Sequence, residues 1–247
     1  IKQSKDSFAD AIFGSASLDQ SGKVSEVQRP TIDASSDEQE QSLRQGLSNQ
    51  ARTIHWPMQV VWKIEPARMA LLSEHAVRRH DLRHLVTFNH FIPGGHAGIF
   101  ERGLQAGFYG DWLVAMHLLI PQIEASIRHV LQQEGVVTST LESDGTQKER
   151  DLNQLLWMPE VEQVLGPDIL FDLRGILTEK FGHNLRNDLA HGLLPEGGYY
   201  REACVYLWWL VLHLCYQGHI IAVKASEVEP TPSAQEQPPA AGDRAPE

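Results

Sequence analysis

The stretch His183-Asn184-Leu185-Arg186-Asn187-Asp188-Leu189-Ala190-His191-Gly192 sets a guanidinium and an imidazole five positions apart in an otherwise apolar helical neighbourhood. That pairing suits phosphodiester chemistry. Arg186 grips a phosphate through a planar fork of donors, and His191 moves a proton near neutral pH. At about 100° per residue, with Arg186 as zero, Asn187 lies near 100° and His191 near 140°. All three project from one side, Asn187 and His191 as i,i+4 neighbours. Gly192 suits a helix end just after the histidine. On spacing alone the commoner arrangement is a bland one, an arginine and a histidine solvating the end of a bundle.

These residues need a frame, and the pattern between the flanks is helical. Punctuation by Pro and Gly bounds candidate helices at 66–74, 76–91, 97–108, 111–134, 151–156, 159–165, 167–181, 185–191 and 200–223. Residues 136–148, with Ser-Asp-Gly at 143–145, read as a small β-hairpin insert. The class is all-α. Residues 1–50, rich in Ser, Gln, Asp and Glu, are expected to be a mostly disordered acidic segment with a helix near 42–52. Residues 51–90 form a helical N-terminal region and 91–224 the domain carrying Arg186 and His191. The Pro-rich acidic stretch 225–247 is expected to be disordered.

Composition narrows the functional classes. The net charge is −11, of which the two flanks hold −3 and −4 and residues 51–224 hold −4. Bulk electrostatics therefore do not draw in nucleic acid, and any RNA binding falls to a local pocket. Cys204 and Cys215 lie eleven residues apart in one expected helix. That spacing puts them about 16 Å apart, too far for a disulfide. They read as core residues of a reducing compartment, which points to the cytoplasm. No signal-peptide pattern is visible. Residues 203–216 are apolar all round, but fourteen residues are short for a bilayer and Gln217, Gly218 and His219 follow directly. A central bundle helix, with no membrane partner, accounts for them better.

With the frame in place, three segments matter together: Phe91-Ile-Pro-Gly-Gly-His-Ala-Gly-Ile-Phe-Glu-Arg-Gly-Leu, then Gly110 through Arg128, then Asn184 through Leu194. They resemble the domain-of-unknown-function family 4209, whose hallmark is Arg-Asn-x-x-x-His-Gly, matched here by Arg186, Asn187, His191 and Gly192. The resemblance spans about 91–216. That family is similar to the HEPN superfamily (higher eukaryotes and prokaryotes nucleotide-binding), whose Arg-x4–6-His motif marks metal-independent endoribonucleases. The resemblance thus implies a HEPN-like bundle, an RNA substrate, no cofactor or metal, and catalytic roles for Arg186, Asn187 and His191. It also implies a homodimer in which two motifs face one groove. One departure shows at Pro93-Gly94-Gly95-His96, where the family pattern has a Pro-x-Gly-Arg-like loop, so no role for that arginine carries over.

Other residues weigh in beside the motif. On the 111–134 helix, His117, Glu124 and Arg128 fall at i, i+7 and i+11, a polar stripe among aliphatics. Such groups need partners. They are either an internal Glu124–Arg128 pair with a bonded His117, or a supporting wall facing Arg186 and His191. Pro121 implies a kink in that helix. Arg78, Arg79, His80, Arg83 and His84 form the one dense basic cluster. Arg78, Arg79 and Arg83 are candidates for RNA-backbone contact, though such a run is more often a solvated face. His80 and His84 have zinc-ligand spacing without the glutamate of an H-E-x-x-H pattern, so no metal site is assigned. Trp208 and Trp209 read as core anchors rather than a base-stacking platform.

The expected function is a metal-independent endoribonuclease with its Arg-x4-His site at a dimer groove. Its rivals are a non-catalytic nucleotide- or partner-binding module of the same type, and a scaffold in which Arg186 and His191 cap an interface.

Overall fold

The computed structural model describes residues 15–18, 24–28, 36–142 and 145–228, with side chains over 40–142 and 145–227. The tail expected to be disordered from 225 is corrected at its start, since residues 225–228 are the end of the last helix, Glu202–Val228; the rest of it, with 1–14, 19–23 and 29–35, lies outside the described residues. Within 1–50, β1 (Ser15–Leu18) pairs antiparallel with β2 (Val24–Gln28), and α1 (Ser36–Gln50) begins six residues before the expected start of its helix.

Beyond α1 the chain stays helical to residue 74 through α2 (Trp56–Gln59) and α3 (Glu65–Glu74), with a wider π-helical turn before each, Ala51–His55 and Val60–Ile64. The cause is local. Pro57 and Pro66 lack an N–H and their rings crowd the carbonyl four residues back. Those carbonyls belong to Thr53 and Trp62, the middle residues of the two π turns, so each wide turn relieves the clash without ending the helix.

The expected helix at 76–91 is corrected. A 3-10 turn, Arg79–Leu82, leads into α4 (Arg83–Val86), which stops there. Asn89 pulls the chain away: its Nδ2 donates to the Leu85 carbonyl at 2.7 Å and the Cys215 carbonyl at 2.6 Å, and its Oδ1 accepts from Phe91 N–H at 2.8 Å. Three satisfied bonds outweigh one more helical turn, and Phe88 takes a left-handed φ of 52°.

The bundle proper follows the sequence reading closely: α5 (Ala97–Phe108), α6 (Trp112–Gln133), α7 (Leu152–Leu155), α8 (Pro159–Leu165), α9 (Pro167–Leu177), α10 (Leu185–Ala190) and α11 (Glu202–Val228). Asp111 and Asp151 cap α6 and α7 by accepting from Val114 N–H and Gln154 N–H. Strands β3 (Ser139–Leu141) and β4 (Gln147–Glu149) form the hairpin insert. The fold is all-α with this small insert. Two expected ends move clearly: α11 runs on to Val228 instead of ending at 223, and α9 stops at Leu177, not 181. There the chain folds back so closely that His183 N–H donates to the Gly175 carbonyl at 2.8 Å, and Gly182 sits where a Cβ would overlap it.

Helix α11 is the bundle's spine. By length and composition it could cross a membrane, but 56% of its most apolar window is buried against the other helices. Trp208 is 2% exposed, donates Nε1–H to the Leu104 carbonyl at 3.0 Å, and stands edge-on to Phe108 with ring centres 4.8 Å apart. Gly107 makes room for it, since a Cβ there would overlap the indole. Cys204 and Cys215 are buried free thiols, and burial pushes the Cys204 thiol up to about 12.

Candidate functional site

Helix α10 is only six residues long, so both its ends depend on specific devices. Asn184 enters it with a left-handed backbone, φ 50°. At the other end His191 is the C-cap and Gly192 takes φ 66°. Leu193 N–H donates to the Asp188 carbonyl at 2.8 Å and Gly192 N–H to the Leu189 carbonyl at 3.2 Å, the paired bonds of a Schellman ending. His191 is thereby held at the lip of the helix. It is exposed and makes no side-chain hydrogen bond to the described residues.

Arg186 is three-quarters buried and anchored on two sides. Its Nη1 donates to Asn187 Oδ1 at 3.2 Å, and its Nη2 lies 3.5 Å from Glu124 Oε2. Asn187 Nδ2 in turn donates to Asn184 Oδ1 at 2.6 Å. Asn187 therefore orients the guanidinium through its side chain, while its backbone carbonyl accepts from His191 N–H at 3.0 Å. The left-handed turn at Asn184 puts that amide within reach of Asn187.

Both readings of the α6 stripe coexist. Glu124 pairs with Arg128 at 3.0 Å along the helix and also faces Arg186. Arg128 is committed to the insert: it lies 3.1 Å from the Glu149 carboxylate and donates to the Arg150 carbonyl at 2.9 Å. The result is an alternating chain of charges, Arg186, Glu124, Arg128, Glu149, that ties α10, α6 and β4 together. Asn184 and Glu149 were not singled out in the sequence. Asn184 carried a signal, as a small polar residue just before a helix, but nothing marked Glu149.

His117 joins the same neighbourhood by another route. Its Nδ1 lies 2.9 Å from the Leu113 carbonyl, its ring stacks on Tyr199 at 5.3 Å and 25°, and Tyr199 Oη is 3.4 Å from its Nε2. Tyr199 belongs to the 3-10 segment Glu196–Tyr200 that follows the motif. The chain from Arg186 to Tyr199 is thus tethered to α6 at Glu124 and again at His117, two helical turns away, with His191 between the tethers in sequence. Helix α6 runs unbroken through Pro121 from Trp112 to Gln133.

The basic cluster stands apart. Glu101 is a buried carboxylate on α5, and Arg83 Nε and Arg79 Nη2 lie 3.2 Å and 3.6 Å from it. Two cations on one buried anion are what such a group requires. Arg79 and Arg83 hold the 79–86 segment to α5, while Arg78 is exposed. No hydrogen bond or ion pair among the described residues links this cluster to Arg186. Nor do three His, Cys, Asp or Glu side chains gather as a metal-ligand set among them.

The motif's first residue is half-buried beside a second polar knot. His183 packs on Trp56 with ring centres 5.5 Å apart, and Asp172 accepts from Trp56 Nε1–H at 2.8 Å and Tyr206 O–H at 2.6 Å. Burial, aided by the Arg52 and Arg201 charges, pushes His183 down to about 4. Burial likewise raises the Asp172 carboxyl, against the pull of its two donors. His183 is therefore neutral in the fold near pH 7. No protein-family model, curated protein or solved structure matches this chain.

Proposed function

We propose that this chain is a metal-independent endoribonuclease. One observation carries the reading: on a single short helix, Arg186 is fixed by Asn187 and Glu124 while His191, five residues on, stands exposed and unengaged. A prepositioned cation stabilises developing charge without reorganising, and a free imidazole is available to transfer a proton. The resemblance of Arg186, Asn187, His191 and Gly192 to the HEPN-type motif supports the same assignment.

In this reading the ribose 2′-oxygen attacks the adjacent phosphorus as it loses its proton, the P–O5′ bond breaks, and the 5′-oxygen gains a proton. Products are a 2′,3′-cyclic phosphate and a 5′-hydroxyl. Arg186 steadies the phosphorane-like transition state. His191 serves as base or acid, and a second His191 across a homodimer groove supplies the complementary transfer.

A non-catalytic phosphate-binding module is the second reading. It is favoured by the contact Arg186 already makes with Glu124, which a phosphate has to share. The deciding experiment incubates the full chain with mixed RNA in excess chelator, beside the Arg186→Ala/His191→Ala double variant. Cleavage to cyclic-phosphate ends by the wild type alone supports the enzyme. A strict need for a divalent metal overturns the mechanism, and binding without cleavage selects the module.

A further inference from the structure

Sharing no lining residue with the Arg186 contacts, a cavity of about 810 Å³ opens between the C-terminal part of α6, helices α8 and α9, and the second half of α11. Its size is in the range of small-molecule sites. One wall is the 89–91 loop, pinned by the three Asn89 hydrogen bonds described above. Gly218 lets that loop lie directly on α11, since a Cβ there would meet Asn89 and Phe91. The wall is preformed rather than assembled by a ligand.

The lining is largely apolar, with Phe91 and Ile169 among it, but it carries two carboxylates, the exposed Glu134 and the part-buried Glu160, and two imidazoles, His90 and His213. No lysine or arginine is among the described lining residues, and neither glutamate forms an ion pair with a described residue. The His213 ring is fixed by stacking on Trp209 at 5.6 Å and 15°. Burial, with the neighbouring His90 and His96, holds His129 below its ordinary value. Apolar walls with unneutralised negative charge at the edge select a specific chemistry. Anions are repelled, hydrocarbons leave the carboxylates unused, and a cation bearing an apolar body satisfies both features.

We propose that this cavity binds an organic cation, an apolar body carrying a protonated amine, with the amine at Glu134 and Glu160 and the body against Phe91 and Ile169. The site is independent of the ribonuclease reading and stands or falls separately. The test uses three probes on one hydrocarbon frame, 4-phenylbutylamine, 4-phenylbutan-1-ol and 4-phenylbutyrate, titrated into the full chain and followed by amide NMR shifts.

The amine is expected to bind about tenfold more tightly than the alcohol, with the carboxylate weakest, and shifts should centre on residues 90–91, 134–136, 160–169 and 213–221. Glu134→Gln/Glu160→Gln should bring the amine to the level of the alcohol and leave the alcohol unchanged. Ile169→Trp should block all three probes, with circular dichroism confirming the fold. If that variant does not fold, the isosteric glutamine pair still decides. Equal or reversed affinities, no binding of the amine at millimolar concentration, or shifts outside the cavity would overturn the proposal.

Discussion

The Arg186 guanidinium lies 3.5 Å from the Glu124 carboxylate, each side chain a quarter exposed, and this contact couples the motif helix to the long helix α6. The pair holds a cation where the proposed function needs one for a phosphate. Its role is positional more than stabilising, because a long 3.5 Å ion pair still open to solvent contributes about 1 kcal/mol or less. Glu124→Gln should therefore lower urea stability by no more than about 1 kcal/mol. Single-turnover cleavage should fall about tenfold with little change in RNA affinity. A large stability loss with unaltered cleavage would make Glu124 a structural residue only.

His191 and Arg186 should separate by readout. His191 is exposed, so His191→Ala should leave stability within about 0.5 kcal/mol of wild type. Cleavage should drop by about 10²–10⁴-fold. Arg186→Ala should weaken RNA binding more than His191→Ala does, measured by filter binding in the presence of chelator.

Assembly is tested by complementation. Light scattering on the full chain should give twice the monomer mass. Mixing Arg186→Ala chains with His191→Ala chains should restore partial activity that neither shows alone, because the mixed groove holds one wild-type arginine and one wild-type histidine. A fully active monomer would defeat the shared groove.

The spine helix gives a stability prediction. Trp208→Ala should cost about 3–5 kcal/mol by urea denaturation. Gly107→Ala should cost about 1–3 kcal/mol, since its methyl overlaps the indole. If α11 is a core helix rather than a span, the wild-type chain should also remain in the supernatant without detergent. Partition into membranes would reverse that assignment.

His183 predicts a pH dependence. Its folded value, about 4, lies below the ordinary 6.5. Between those values the unfolded chain binds the proton and the folded chain does not. The stabilisation is thus present above pH 6.5 and lost as pH falls toward 4, up to about 3 kcal/mol. The raised Asp172 works the opposite way, losing stability as pH rises above its ordinary carboxylate range. The drop in urea midpoint from pH 7.5 to 5 should be smaller in His183→Phe than in the wild type. An equal drop in both would mean that His183 titrates normally in the fold.

Much of the fold was legible in the residues because it follows from local rules. Helix α5 was read to the residue, and α6 and α7 to within their aspartate caps, since amphipathic spacing, Asp caps and Pro or Gly stops act within a few positions. Gly192 likewise announced the helix end that presents His191. The errors fall where distant groups compete with local preference. Asn89 ended the 76–91 helix by bonding a carbonyl of α11, and α9 stopped early because Gly182 closes on Gly175.

The site divides the same way. Residue types and spacing placed Arg186 and Asn187 in one short helix with His191 at its C-terminal end, because helix geometry and stop signals are local. The stripe of His117, Glu124 and Arg128 was visible too, but its partners were not. Only the packing of α10 on α6 gave Glu124 to Arg186, turned Arg128 toward Glu149 and laid His117 on Tyr199. Only packing, too, buried Glu101 under Arg79 and Arg83, which no charge count distinguishes from a solvated basic face. Spacing along a helix fixes direction, whereas partners across a bundle depend on which faces the whole core brings together.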